Sequence, residues 1–158
     1  MAIKVAQYKG KSWTSKIIKF VSRGKYSHTA IMLEDDYIVE AWQGSNSVRV
    51  VRSLSSGHTP GTEVDIYSID LGVKQEERFR KFVEEQIGKP YDFWGIHGFF
   101  WRRDTQRSQS WFCSELFAAA CEEAGKALYN DTRPSQVSPS MVARSIALKP
   151  KLVGFMTK

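Results

Sequence analysis

The stretch Tyr26-Ser27-His28-Thr29-Ala30-Ile31-Met32-Leu33, then Glu34-Asp35-Asp36, then Tyr37-Ile38-Val39-Glu40-Ala41-Trp42, reads as two β-strands joined by an acidic turn. Alternate side chains of a strand share a face, so His28 projects with Tyr26, Ala30 and Met32. If Glu34-Asp35-Asp36 is a three-residue loop, Ala30 pairs with Glu40 and His28 with Trp42. His28 and Glu40 are then diagonal neighbours on one face, within reach of long side chains. A change of one residue in loop length would turn Glu40 to the other face. Glu40 stands between Val39 and Ala41, an odd setting for an idle carboxylate.

Working outward, Trp13, Ile17, Phe20 and Val21 recur at helical spacing before Gly24 and predict a short first helix. Ser47 to Ser53 and Glu63 to Ile69 read as further strands, separated by the loop Ser55-Ser56-Gly57-His58-Thr59-Pro60-Gly61. Lys74 to Ile87 is an amphipathic helix with Phe79, Phe82, Val83 and Ile87 on one face, ended by Gly88 and Pro90. An aromatic-rich stretch follows from Tyr91 to Trp101, then a helix from Trp111 to Ala124. Ser138-Pro139 opens a short helix through Ala147, and Lys151 to Met156 reads as a last strand. Strands cluster in the middle with helices around them, which makes the chain α+β with a mainly antiparallel sheet.

The chain of 158 residues is expected to form a single domain, 1–158. Its 42% hydrophobic and 25% charged residues are the profile of a globular protein. No apolar run approaches the roughly eighteen residues of a membrane span. The opening Met1-Ala2-Ile3-Lys4-Val5-Ala6-Gln7 is too short and polar for a signal peptide. A cytoplasmic location is therefore expected, or release by a route such as viral lysis. The net charge is +6, and seven Lys or Arg residues precede the first acid, Glu34. Such a surface favours anionic partners, among them nucleic acid, wall polymers and a peripheral anionic membrane surface.

Trp111-Phe112-Cys113-Ser114-Glu115-Leu116 is the sharpest local feature. With Ser110 as N-cap, Cys113 falls in the first helical turn. There the unpaired N–H groups and the helix dipole favour a thiolate and can hold an oxyanion. Cys121 lies eight residues on, about 12 Å away along the helix. That exceeds the roughly 7 Å limit for bridging two Cα atoms, so both thiols are expected free. A nucleophilic thiolate needs a base, and His28 is the best candidate, with Glu40 to orient it. Spacing alone does not bring Cys113 to His28, because 85 residues separate them. His58, in its Gly/Pro/Ser loop, and His97 read as non-catalytic, although His97 is a rival base. No His/Cys spacing matches a zinc site and no glycine-rich phosphate loop is present, so neither metal nor cofactor is implied.

Four motifs carry a family resemblance: Tyr26-Ser27-His28-Thr29-Ala30-Ile31, Val39-Glu40-Ala41, Gly88-Lys89-Pro90-Tyr91-Asp92-Phe93 and Phe112-Cys113-Ser114-Glu115-Leu116. Val137-Ser138-Pro139-Ser140 with Ala143-Arg144-Ser145 resembles the closing helix of the same family. The chain resembles the permuted branch of the NlpC/P60 superfamily of papain-like hydrolases, the YiiX/YaeF-like group, in which the histidine precedes the cysteine. The resemblance implies a circularly permuted papain-like fold, with an antiparallel sheet flanked by helices. It implies Cys113 as nucleophile, His28 as base and acid, and Glu40 as the third member. It places Tyr91 near the oxyanion, with Tyr26 and Ser114, which stand in the same motifs, on the substrate side. The Gly-Asp pair usual in the family's opening strand is missing before Lys4-Val5-Ala6.

The expected activity is cleavage of an amide bond through a thioester, with a peptidoglycan stem peptide as the substrate implied by the resemblance. A lipid or acyl-ester hydrolase or acyltransferase of the same superfamily is the second reading, with Trp94, Phe99, Phe100 and Trp101 as a candidate acyl groove. The third is a nucleic-acid or wall-binding module with a vestigial site, motivated by Trp101-Arg102-Arg103. The intact Cys, His and Glu argue against that reading and make nucleic acid the weaker partner.

Overall fold

A computed structural model of the chain describes residues 2–91 and 111–157. The strands are β1 (Ala2–Lys9), β2 (His28–Glu34), β3 (Tyr37–Trp42), β4 (Ser47–Val51), β5 (Glu63–Asp70) and β6 (Leu148–Met156). The helices are α1 (Trp13–Val21), α2 (Val73–Gln86), α3 (Cys113–Glu123) and α4 (Pro139–Arg144), with a 3-10 turn at Pro134–Gln136 before α4. The strands form one sheet in the order β4-β3-β2-β1-β5-β6, and every neighbouring pair is antiparallel. This is the expected α+β architecture. The candidate acyl groove, the rival base His97, the Trp101-Arg102-Arg103 run, the Asp92-Phe93 end of one motif and the Ser110 N-cap all lie outside the described residues.

The strand expected from Tyr26 begins at His28. Ahead of it comes β1, one of the two central strands of the sheet, which the periodicity of the opening residues hides. Ile3, Val5, Ala6, Gln7 and Tyr8 are all buried because β1 is covered on both faces, and a strand of that kind loses the alternation of a half-exposed one.

The β2–β3 hairpin keeps the expected register by a different route. Ile31 lies opposite Val39 and Met32 opposite Ile38, and the pairing then slips to Glu34 opposite Tyr37. The bulge at Leu33 adds the residue that the tight Asp35-Asp36 turn omits, so the two changes cancel. Glu40 therefore stays on the face of His28. At the other end of β3, Asn46 takes a left-handed conformation (φ 53°) and turns the chain so that Glu40 faces Arg49 on β4.

One face of the sheet carries Ile3, Val5, Ile31, Leu33, Val39 and Ala41, packed under α2 and α3. Phe79 and Val83 of α2, and Leu116, Phe117, Ala120 and Cys121 of α3, fill this layer. The expected core positions Phe117 and Ala120 are both fully buried, while Ile87, expected on the apolar face of α2, is 37% exposed where the helix has ended. The opposite face holds a smaller cluster of Tyr8, Ala30, Met32, Ile38, Val64 and Ile66.

Helix α3 starts two residues later than the expected Trp111. Phe112 is its N-cap, and Glu115 Oε2 accepts from the Phe112 N–H at 3.3 Å. Trp111 pairs instead with Tyr91 in a parallel bridge. Phe117 anchors α3, its ring 5.9 Å from that of Phe79 in an edge-on arrangement. Replacing it with alanine is expected to cost about 3–5 kcal/mol. The fall in urea midpoint should show this, with the slope of the transition unchanged.

Candidate active site

His28 opens β2 at the edge of the small cluster, with its side chain 12% exposed. Its Nε2 lies 2.6 Å from Glu40 Oε2, which is 1% exposed. With Nε2 engaged by the carboxylate, the ring offers Nδ1 to Cys113. Burial by itself would push the imidazole pKa down, but the charge and hydrogen bond of Cys113, joined by those of Glu40, raise it from 6.5 to about 10. The structure thus brings together Cys113, His28 and Glu40 from α3, β2 and β3.

Burial would raise the Glu40 pKa, but hydrogen bonding from His28 and the pull of His58 and Arg49 hold the carboxyl well below its ordinary range. Arg49 donates to Glu40 Oε1 twice, from Nε at 2.9 Å and from Nη2 at 2.6 Å. Its guanidinium lies 4.3 Å from the Trp42 ring centroid, and Nη2 also donates to the Ser56 carbonyl at 3.0 Å. The depressed carboxyl stabilises the fold fully above the ordinary carboxylate range, and that stability is lost as pH falls through the lowered value. The raised imidazole contributes fully below 6.5 and loses its contribution as pH rises through about 10.

His58 is in the site, contrary to its reading as an idle loop residue. Its ring stacks on Tyr8 with centroids 3.8 Å apart and meets Trp42 edge-on at 4.9 Å. Its Nε2 is 3.9 Å from Glu40 Oε2, beyond hydrogen-bond length, and burial lowers its pKa, which favours the neutral ring. The loop is pinned from both ends. Tyr8 donates to the Leu54 carbonyl at 2.9 Å, and Thr157 Oγ1 donates to the Thr59 carbonyl at 3.2 Å. Gly57, at φ 79°, lets the backbone pass close over Trp42 and Arg49, where a Cβ would meet atoms at 2.9 and 3.0 Å.

The remaining expected residues are distributed unevenly. Tyr91 lines a cleft of about 480 Å³ together with His28, Trp42, His58 and the start of α1. Cys113, 2% exposed, does not itself line this cleft. Ser114 is fully buried and its hydroxyl donates to the Val137 carbonyl at 2.6 Å, tying α3 to the following segment. Tyr26, expected on the substrate side, is buried away from the cleft, where its hydroxyl bonds Asp65 and, at 2.8 Å, Tyr67. Cys121 is buried mid-helix, and burial pushes its thiol pKa up, so it stays protonated. Arg49 could have been found from the sequence, because a four-residue turn at Gln43-Gly44-Ser45-Asn46 sets it opposite Glu40. His58 had no such signal, since its loop is placed by remote contacts.

The family model for permuted papain-like amidases of the YaeF/YiiX type, family C92, matches residues 7–143. The chain belongs to that family. Its fold is also that of the metalloprotein YiiX of Escherichia coli O157:H7, whose crystal structure superposes with a TM-score of 0.69 at 18% identity over 96% of each chain. No curated protein matches the chain. In this amidase, His28, Glu40 and His58 have donor atoms within 4.8 Å of one another, the spacing of a candidate metal centre. A cation there would have to replace the 2.6 Å His28–Glu40 contact and share the carboxylate with the Arg49 guanidinium. His28, Glu40 and Arg49 are bonded to one another, whereas His58 Nε2 is buried without a hydrogen-bond partner among the described residues.

The Arg49 clamp gives a test. Arg49→Met should free Glu40 Oε1, loosen the His28 ring and lower kcat/KM about tenfold or more against any substrate the wild type cleaves. Arg49→Lys should not restore the rate, because an ammonium lacks the planar face that lies on Trp42. Recovery of wild-type kcat/KM in the lysine variant would assign Arg49 a charge-only role.

Proposed function

We propose that this family member hydrolyses amide bonds through a Cys113–His28–Glu40 triad and a thioester intermediate. The single observation that carries the reading is the His28 ring held between a buried carboxylate and the Cys113 thiol, with its pKa raised to about 10. At neutral pH that environment favours the imidazolium form of His28 beside the Cys113 sulfur. The thiolate attacks the substrate carbonyl carbon, and the charge moves onto oxygen. The first-turn N–H groups of a helix lack intrahelical acceptors, so those of α3 are the donors proposed to hold that oxyanion. His28 then gives its proton to the leaving nitrogen, the C–N bond breaks and an acyl thioester remains. The now neutral ring takes a proton from water as the water oxygen attacks the thioester. The C–S bond breaks, the acid departs and the thiolate is restored.

A cell-wall stem peptide is the substrate we propose, on the resemblance of the His28, Glu40 and Cys113 motifs. A second reading, hydrolysis or transfer of an acyl ester by the same thiolate, is favoured by one observation. The cleft beside His28 carries the apolar side chains of Ile18, Trp42 and Tyr91.

Two measurements check the triad. Cys113→Ser is expected to abolish turnover with the fold intact, and a small reagent such as iodoacetamide should label Cys113 and leave Cys121 unmodified. Near-normal turnover by Cys113→Ser would sink the assignment. The pH profile of kcat/KM should keep its alkaline limb near 10, where the imidazolium is lost, and not near 6.5. Glu40→Gln should move that limb down, because the neutral amide no longer stabilises the protonated ring.

A further inference from the structure

We infer that the exposed face of α1 is a docking surface for an anionic lipid bilayer. Trp13, Ile17 and Phe20 stand at i, i+4 and i+7, so they share one side of the helix. They are 77%, 40% and 83% exposed, and only Ile18 of this helix is buried. The helix is held to the body by Ile18, which joins the main core, and by the Lys19 ammonium. Ser12 caps the Ser15 N–H at 3.1 Å and Lys19 Nζ donates to the Gly10 carbonyl at 2.8 Å. An apolar stripe is therefore presented to solvent by a helix that is anchored without it.

Cations ring this stripe. Lys11, Lys16 and Arg23 have no acidic partner among the described residues. A groove beside Phe20 gathers Lys19, Arg23, Lys25 and Arg144 against a single acid, Asp131. No acid precedes Glu34 anywhere in the chain. Large apolar side chains beside lysine and arginine are what an interfacial helix uses: the rings enter the headgroup boundary and the cations meet lipid phosphates. A soluble polyanion would satisfy the cations and leave Ile17 without a partner. A second copy would bring two like-charged faces together. The other side of α1 lines the cleft that holds His28. Docking therefore brings the cleft within one helix diameter, roughly 10 Å, of the membrane surface, and the consequence that its substrate is membrane-borne rests on the hydrolase reading above. The binding step itself does not.

The test is co-sedimentation of the full chain with phosphatidylglycerol-containing vesicles and with pure phosphatidylcholine vesicles. Binding is expected to the anionic vesicles, weakening as salt is raised. Trp13→Ala with Phe20→Ala should lower the partition coefficient about tenfold or more while far-UV dichroism and turnover of a soluble substrate stay at wild-type values. Lys16→Glu should lower it at least about fivefold, the effect of losing one surface cation. Cys113→Ala should bind as the wild type does, so loss of turnover with binding intact would count against the catalytic reading alone. The inference is overturned if no anionic vesicle is bound or if the Trp13/Phe20 variant binds equally well. It is also overturned if heparin is bound in place of vesicles, or if the face instead mediates a concentration-dependent dimer that the same variant abolishes.

Discussion

A carboxylate buried inside a sheet is the constraint around which this site is built. Glu40 is 1% exposed, and an unpaired charge at such depth would cost several kcal/mol, on the order of a domain's whole stability. It is compensated from both sides, by His28 on β2 and by Arg49 on β4. Both partners are available only if the two hairpins keep their registers. A one-residue slip in either would turn a partner to the other face. The bulge at Leu33 and the left-handed Asn46 are the local devices that hold those registers.

The same network accounts for the close cover over the site. Arg49 reaches the Ser56 carbonyl, Trp42 lies under the guanidinium, and His58 stacks on Tyr8 and meets Trp42 edge-on. Low solvent access strengthens the Glu40–His28 interaction, and that interaction in turn keeps the imidazole charged beside Cys113. The thiol is delivered independently, by a helix whose inward residues pack on the other face of the sheet. The site therefore forms where the end of the sheet meets the first turn of α3. That meeting does not depend on which element comes first in the chain, which is why a permuted order supports papain-like chemistry.

Helix α1 shows how periodicity and burial can part company. Helical spacing of Trp13, Ile17 and Phe20 correctly predicts a helix, and a stripe of that kind ordinarily marks the core-facing side. Here Ile18, packed in the main core, and the Lys19 bond to the Gly10 carbonyl fix the helix with its stripe outward. Exposed tryptophan and phenylalanine among unpaired lysines have a physical explanation at an apolar–aqueous boundary and none in a water-facing surface alone.

By itself the sequence determined what depends on local pattern. The β2–β3 hairpin follows from alternation and its acidic turn, whereas the shared face of His28 and Glu40, expected from a three-residue loop, is kept by a two-residue turn together with the Leu33 bulge. The inward Phe117 and Ala120 follow from helical period, and the exclusion of a Cys113–Cys121 bridge follows from helical rise. Family membership follows from motifs in order. Tertiary structure decided what depends on contacts between distant segments. The burial of β1 on both faces erased its alternation. Tyr26 was drawn to Asp65 and Tyr67 and away from the cleft, and the hydroxyl of Ser114 was spent on the Val137 carbonyl. His58 entered the site because Thr157, nearly a hundred residues on, and Tyr8 on β1 pin its loop. A side chain's neighbours across the sheet can be counted from a turn, but its neighbours across the fold are set by packing that no short window of sequence contains.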